Sequence, residues 1–271
     1  MTTTPKTLPQ STFWRITEDI PESLKWTLMI SSIIVPLIFW LLISSFAGIE
    51  SVFLPSPLAV IQALGKLAEQ GFLIQDTITS FLRVVGGFFL GGLFAIPLGI
   101  LMGTFPSIRS LMEPIIGVVR YMPAPAFIPL LVIYLGIGET SKIMLIFIGT
   151  IFFNTLMIMD AVKFISRELI EVTYTLGGTR KQVLFKVITP YIIPNVIDTF
   201  RVNMAAAWNL VVVAELVAAD NGLGKRILLA QKFLRTDEIF ACLIVLGIIG
   251  FALDLSFRLF LQWTCKWSIT R

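Results

Sequence analysis

From Trp26 to Ile49 the chain carries no charged residue, and from Val84 to Ile108 it again carries none. A helix rises about 1.5 Å per residue, so each run is long enough to cross a hydrocarbon core of about 30 Å. In lipid, every backbone N–H and C=O must find its partner within the protein, which leaves helices or a closed barrel. Unbroken apolar runs of this length select helices. Hydrophobic residues make up 56% of the 271, and charged residues only 14% where a soluble domain carries about a quarter. The sequence therefore predicts an all-α integral membrane protein, a bundle of about six transmembrane helices. The net charge of +4 does not point to nucleic acid, because the basic residues gather at the ends of apolar segments.

Residues 1–25 are Thr/Pro-rich and polar, and read as a loose tail with no charged-then-apolar leader pattern before Trp26. After the first span, Ser56 and Pro57 suit the N-cap and first position of a short amphipathic helix, with Val60, Ile61, Leu64 and Leu67 as its apolar stripe. The second span runs from Asp76 to about Gly103. Its Gly87/Gly91 and Gly99/Gly103 pairs permit close helix approach, either within the subunit or at a dimer seam, and Pro97 predicts a kink. The third, Leu111 to Leu135, is interrupted at Arg120-Tyr121-Met122-Pro123-Ala124-Pro125 and again at Pro129. Such a break at membrane depth survives only inside protein or beside a wet cavity. Gly136 to Glu139 reads as a tight turn. The fourth span is Ile143–Met159 and the fifth runs from about Tyr191 to Val217. An outer loop follows at Asp220–Gly224, and Ile239–Leu253 begins the sixth span.

Between the fourth and fifth spans lies Lys163–Pro190, which carries Arg167, Glu168, Glu171, Arg180, Lys181 and Lys186. A bilayer core would not accept these charges, so the segment lies outside it. Ile165, Leu169, Val172 and Leu176 recur at helical spacing. Gly177-Gly178 ends that helix, and Thr179 with Gln182 forms a capping-box pattern that starts the next. Two readings fit: an amphipathic hairpin on the membrane surface, or a docking element for a soluble partner. With this loop and the tail placed inside, the inner segments hold twelve Lys and Arg against six outside, the other three of the 21 being Arg83, Arg120 and Arg201. That asymmetry places the loop and both termini in the cytoplasm.

Glu171, Leu176-Gly177 and the later Pro190 and Pro194 resemble the cytoplasmic Glu-Ala-Ala loop of ABC-importer permeases, with Val172 and Thr173 standing where that loop has its alanines. Leu54–Pro57, Arg120–Pro129, Gly136–Glu139, Ala214-Glu215 and Gly222-Leu223-Gly224 follow in the order of one subfamily, the nitrate, sulfonate, taurine and bicarbonate permeases. There the proline after the arginine is usual; here Tyr121 follows Arg120. The resemblance implies a MetI-like type-1 transmembrane domain over 26–271 in a bacterial inner membrane, with a coupling loop at about 163–190. It implies coupling residues Glu171, Val172, Thr173, Leu176, Gly177, Gly178 and Thr179. It also implies a second permease subunit, in a homodimer, two cytoplasmic ATP-binding subunits carrying ATP and Mg, and an extracytoplasmic binding protein that delivers a small oxyanion.

This chain carries no G-x-x-x-x-G-K-[ST] phosphate loop, no histidine and no CxxC, so we expect neither catalysis nor a cofactor or metal of its own. Intramembrane charge costs about 2.5–3.5 kcal/mol at a helix centre, so each such residue needs a reason. Arg83 is expected to snorkel to the outer interface. Arg120 either meets the anion, beside Tyr121, Met122, Pro123 and Pro125, or pairs with Glu113 or Asp160. Asp198 with Arg201, and Asp254 with Arg258, are spaced to pair on one helix. Asn203, Trp208, Asn209 and Glu215 are the remaining polar points of the fifth span and are expected, with Arg120–Pro125, to line the translocation pathway, Glu215 as a gate or structural partner. The alternative function is a self-contained channel or secondary carrier for a small anion.

Overall fold

The computed structural model describes residues 12–14, 19–46, 48 and 50–269. Much of the tail, Ile49 and Arg271 lie outside the described residues. The chain forms two compact units, Met1–Gln62 and Ala63–Arg271. In the first, α1 (Glu22–Phe46) is the first span and starts before Trp26. The Trp40 indole donates to the Pro55 carbonyl at 3.1 Å, and Ser56 Oγ accepts from the Ala59 amide at 3.2 Å. That is the predicted N-cap of α2 (Pro57–Glu69), whose buried face is Val60, Ala63 and Leu67, with Ile61 turned outward.

The second unit contains α3 (Phe72–Thr104), α4 (Pro106–Val119), a 3-10 turn at Ala124–Phe127 leading into α5 (Ile128–Leu135), and α6 (Glu139–Lys163). The charged segment holds α7 (Arg167–Thr175) and α8 (Arg180–Gln182), which passes through a π-helical turn at Val183–Ile188 into α9 (Thr189–Ala218). Then come α10 (Leu223–Lys232), α11 (Thr236–Thr264) and α12 (Lys266–Ile269). Among the described residues, five helical spans are long and apolar enough to cross a membrane, and α4 with α5 makes a sixth only as a broken pair bent by 84°. The expected third span is thus two segments: Pro123 and Pro125 lack the N–H groups a continuous helix needs. Sequence reading missed α10, because its apolar content is low and it follows a glycine turn.

The glycine pairs of α3 face α6. A Cβ at Gly87 would stand 2.6 Å from the Ile143 carbonyl oxygen and 2.7 Å from Ile146 Cβ. At Gly99 it would stand 2.8 Å from the Thr155 carbonyl oxygen, and at Gly103 2.9 Å from that of Met159. These pairs are occupied within the chain, so they do not form the dimer seam that sequence left open. Phe88 on α3 meets Phe200 on α9 edge-on at 5.2 Å, and Val84, Ile146, Met204 and Val211 complete the core between α3, α6 and α9.

Gly87→Ala should therefore destabilise the fold by about 1–3 kcal/mol, because the α6 backbone has to move. Gly117→Ala, where a Cβ meets nothing within 4 Å, should be neutral or mildly stabilising. Melting of the two purified variants in detergent checks this; equal melting temperatures would contradict the close packing.

Candidate functional site

Arg83 does not snorkel. It is 1% exposed, and all five of its N–H donors are engaged. Nε and Nη2 grip the Glu139 carboxylate with two bonds of 2.6 Å, and Nη1 donates to Glu215 Oε1 at 2.7 Å. Nη1 and Nη2 also donate to the Asn221 carbonyl and Oδ1, at 2.8 and 2.7 Å. Burial makes this pairing obligatory: an unpaired guanidinium here would carry the full desolvation cost.

Glu215 is fully buried and accepts further bonds from Ser80 Oγ at 2.8 Å and the Gly224 amide at 2.8 Å. Asp76, one turn before Ser80, accepts from the Gly222 amide and from Arg226 Nε, each at 2.8 Å. Lys142, also buried, donates to Glu139 at 3.1 Å. Three cations and three anions thus close a neutral network across α3, the start of α6, the end of α9 and the start of α10. Gly222 sits at φ +115, and a Cβ there would run into the Glu215 carboxylate. Glu215 is thus an ion-pair partner of Arg83 within this network. Ser80, Asn221 and Arg226 were missed; the spacing of Asp76, Ser80 and Arg83 on one helix face was the available signal.

At the other ends of α6 and α9 lies the charged loop. Ile165, Val183, Ile188 and Ile192 join the core and fix its base. The Gly177 amide donates to the Tyr174 carbonyl and that of Gly178 to Thr173, both at 2.9 Å, with Gly177 at φ +80: a Schellman ending of α7. Thr179 and Gln182 form the capping box that sequence predicted. Glu171 is exposed, as are Val172 at 55% and Leu176 at 82%, while Thr173 is half-buried and directs its hydroxyl to the Leu169 carbonyl. The predicted apolar stripe therefore forms: Ile165 joins the core, Leu169 borders a groove with Tyr191, and Val172 and Leu176 are exposed.

Arg120, Tyr121, Met122, Pro123 and Pro125 line an open cleft of about 380 Å³ with Phe153 of α6 and Asn209 of α9. Arg120 reaches neither Glu113 nor Asp160: its guanidinium lies 4.8 Å from the Tyr121 ring centroid and donates to the Tyr121 hydroxyl at 2.9 Å. Asp160 pairs instead with Lys163 at 3.0 Å, one turn away. A second cleft, about 590 Å³, separates α9 from α11 and is lined by Trp208 and, again, Asn209. The Trp208 indole donates to the Leu246 carbonyl at 2.9 Å, tying the two helices together. Arg201 bridges Asp198 at 2.8 Å and Asp254 at 3.4 Å, and Asp254 also pairs with Arg258 at 2.7 Å. Asn203 lies on neither cleft; it donates to Asn154 Oδ1 at 2.7 Å across α6 and α9.

The family model described as "binding-protein-dependent transport system inner membrane component" matches residues 95–265. The chain is 37% identical to the taurine transport system permease protein TauC of Escherichia coli, over 88% of each chain. It is 38% identical to a Methanocaldococcus jannaschii chain named as an ABC transporter permease protein, over 82% of this chain and 84% of that one. Its fold is similar to a chain of the inward-facing MetNI methionine ABC transporter, with a TM-score of 0.65, 19% identity, and coverage of 75% of this chain and 99% of that one.

Replacing Arg83 with Met should cost about 3–5 kcal/mol, because it leaves Glu215 buried without its cation. Adding Glu215→Gln should recover part of the loss. Folded yield and melting temperature of the single and double variants measure this; a single variant that melts with the wild type would show that the network carries no stability.

Proposed function

The chain belongs to the family of binding-protein-dependent transport system inner membrane components, permease subunits of ABC importers, and from that premise we propose how it works and what it moves. The family assignment displaces the alternative of a self-contained channel or carrier. α7 and α8 dock onto a cytoplasmic ATP-binding subunit, which holds ATP and Mg and supplies the work. Two copies of the permease enclose the path, an extracytoplasmic protein delivers the solute, and both termini face the cytoplasm.

The observation that carries this reading is the outward apolar stripe of α7. Val172 and Leu176 expose large aliphatic surface beside Glu171, on a loop held rigid by the Schellman ending and the capping box. An amphipathic helix with such anchors fits a hydrophobic groove on a soluble partner. Glu171 supplies the polar edge, and Gly177, Gly178 and Thr179 set the angle between the two short helices. In this chain, Glu171→Ala or Gly177→Asp should reduce co-purification of the ATPase at least severalfold while the permease still reaches the membrane. Unchanged assembly and transport in both variants would sink the docking assignment.

The solute is a small oxyanion, of which a sulfonate such as taurine is the form favoured by the similarity to the taurine permease. Arg120 and Asn209 both line the cleft at the proline break, and a guanidinium offers a planar fork of donors suited to sulfonate, nitrate or carboxylate oxygens. Binding there is weak, since a permeating ion has to leave again. Tyr121, Met122, Pro123 and Pro125 shape that cleft, and Asn203, Trp208 and Glu215 hold α9 in place beside it. Uptake of labelled taurine by a deletion strain should fall at least tenfold with Arg120→Met and less with Arg120→Lys, at equal expression. Normal uptake by a well-expressed Arg120→Met variant would remove Arg120 from the path.

A further inference from the structure

A third cavity, open-sided and about 610 Å³, lies where α9 begins and α11 ends. Ile193, Ile197 and Phe260 make its floor, Leu169 of α7 forms one wall, and Trp267 of α12 forms another. Its lining includes one cation, Lys186, and no carboxylate. Lys186 is exposed and makes no ion pair and no side-chain hydrogen bond among the described residues, which leaves its ammonium available at the mouth of this groove.

Three exposed aromatic residues fix the level of this groove. Tyr191 is 38% exposed near the start of α9, Trp263 74% at the end of α11, and Trp267 56% on α12 just beyond it. Amphipathic rings in such positions sit at the headgroup level of a bilayer. The groove therefore opens at the boundary where acyl chains give way to phosphates. Its apolar floor with a single unpaired ammonium at the rim matches that change of polarity. A soluble metabolite would need more polar donors than this lining provides.

We propose that this groove binds one anionic phospholipid of the inner leaflet, its phosphate on Lys186 and an acyl chain along Ile193, Ile197 and Phe260. Because Leu169 belongs to α7, the bound lipid braces the helix read above as the ATPase-docking element. That consequence and the choice of leaflet rest on the proposed function; the binding of an anionic lipid in the groove does not.

The test is native mass spectrometry of the purified permease, alone and with its co-purifying subunits, titrated with phosphatidylglycerol or phosphatidylcholine. Wild-type protein should retain phosphatidylglycerol preferentially. Lys186→Gln should weaken phosphatidylglycerol binding about fivefold, from the loss of one charge near a phosphate, and leave phosphatidylcholine unchanged. Thr264→Trp, which narrows the groove from its rim, should reduce both. Equal binding of the two lipids, unaltered by Lys186→Gln, would overturn the proposal. So would lipid retained by the isolated permease but displaced in the assembled complex, since the groove would then be a subunit contact. The same spectra report assembly, so loss of lipid selectivity with assembly intact defeats this inference alone. Absence of assembly with selectivity intact defeats only the functional reading.

Discussion

A guanidinium with almost no exposed surface holds two carboxylates and an asparagine, and through them joins three regions that are far apart in the chain. Arg83 on α3 meets Glu139 at the start of α6, Glu215 at the end of α9, and Asn221 in the turn before α10. Dispersion alone would draw these apolar helices together in many relative positions, because lipid tails are as apolar as leucine. A bidentate ion pair tolerates far fewer. The network thus supplies register at one end of the bundle, while the core of Val84, Phe88, Ile146 and Phe200 supplies most of the contact area along its length.

Packing is not uniform along the bundle. α3 and α6 touch backbone to side chain through their glycine faces, which leaves little room for sliding. α9 has a cleft on each side, one toward the proline break and one toward α11, with Asn209 bordering both. Side chains next to a void lose contacts on one side, so rearrangement there costs less than in the glycine seam. The break between α4 and α5 also faces α9. The second unit therefore combines a stiff pair with one helix that has free volume around it.

Much of this was legible in the sequence for physical reasons. Uncharged runs gave the spans, because lipid leaves few alternatives. Ser56, Thr179 with Gln182, and Gly177-Gly178 gave helix ends, because capping is local. The broken third span followed from its prolines. What failed was long-range: Arg83 looked like a snorkelling residue because its partners lie 56 and 132 positions away in the chain. The three motifs Gly136–Glu139, Ala214-Glu215 and Gly222–Gly224 were recognised separately, and only the fold shows that they join one network: Glu139 and Glu215 meet Arg83, and the Gly222 and Gly224 amides donate to Asp76 and Glu215. The α7 stripe was read correctly as a periodicity, but periodicity does not say which molecule covers it.

The π-helical turn at Val183–Ile188 fixes an angle. Its two end residues, five apart, are both buried, and Thr189 Oγ1 reaches back five residues to the Leu184 carbonyl at 2.8 Å. On an α-helix, residues five apart point about 140° away from each other. The wider turn brings them to the same side and so takes up roughly one extra residue. Everything before it, α8 and the glycine corner included, is rotated about the α9 axis by about 100° from where an unbroken α-helix would carry it. The azimuth at which the loop leaves the bundle is thus a property of residue count, and a one-residue deletion inside the turn would re-aim the loop without altering any side chain on its surface.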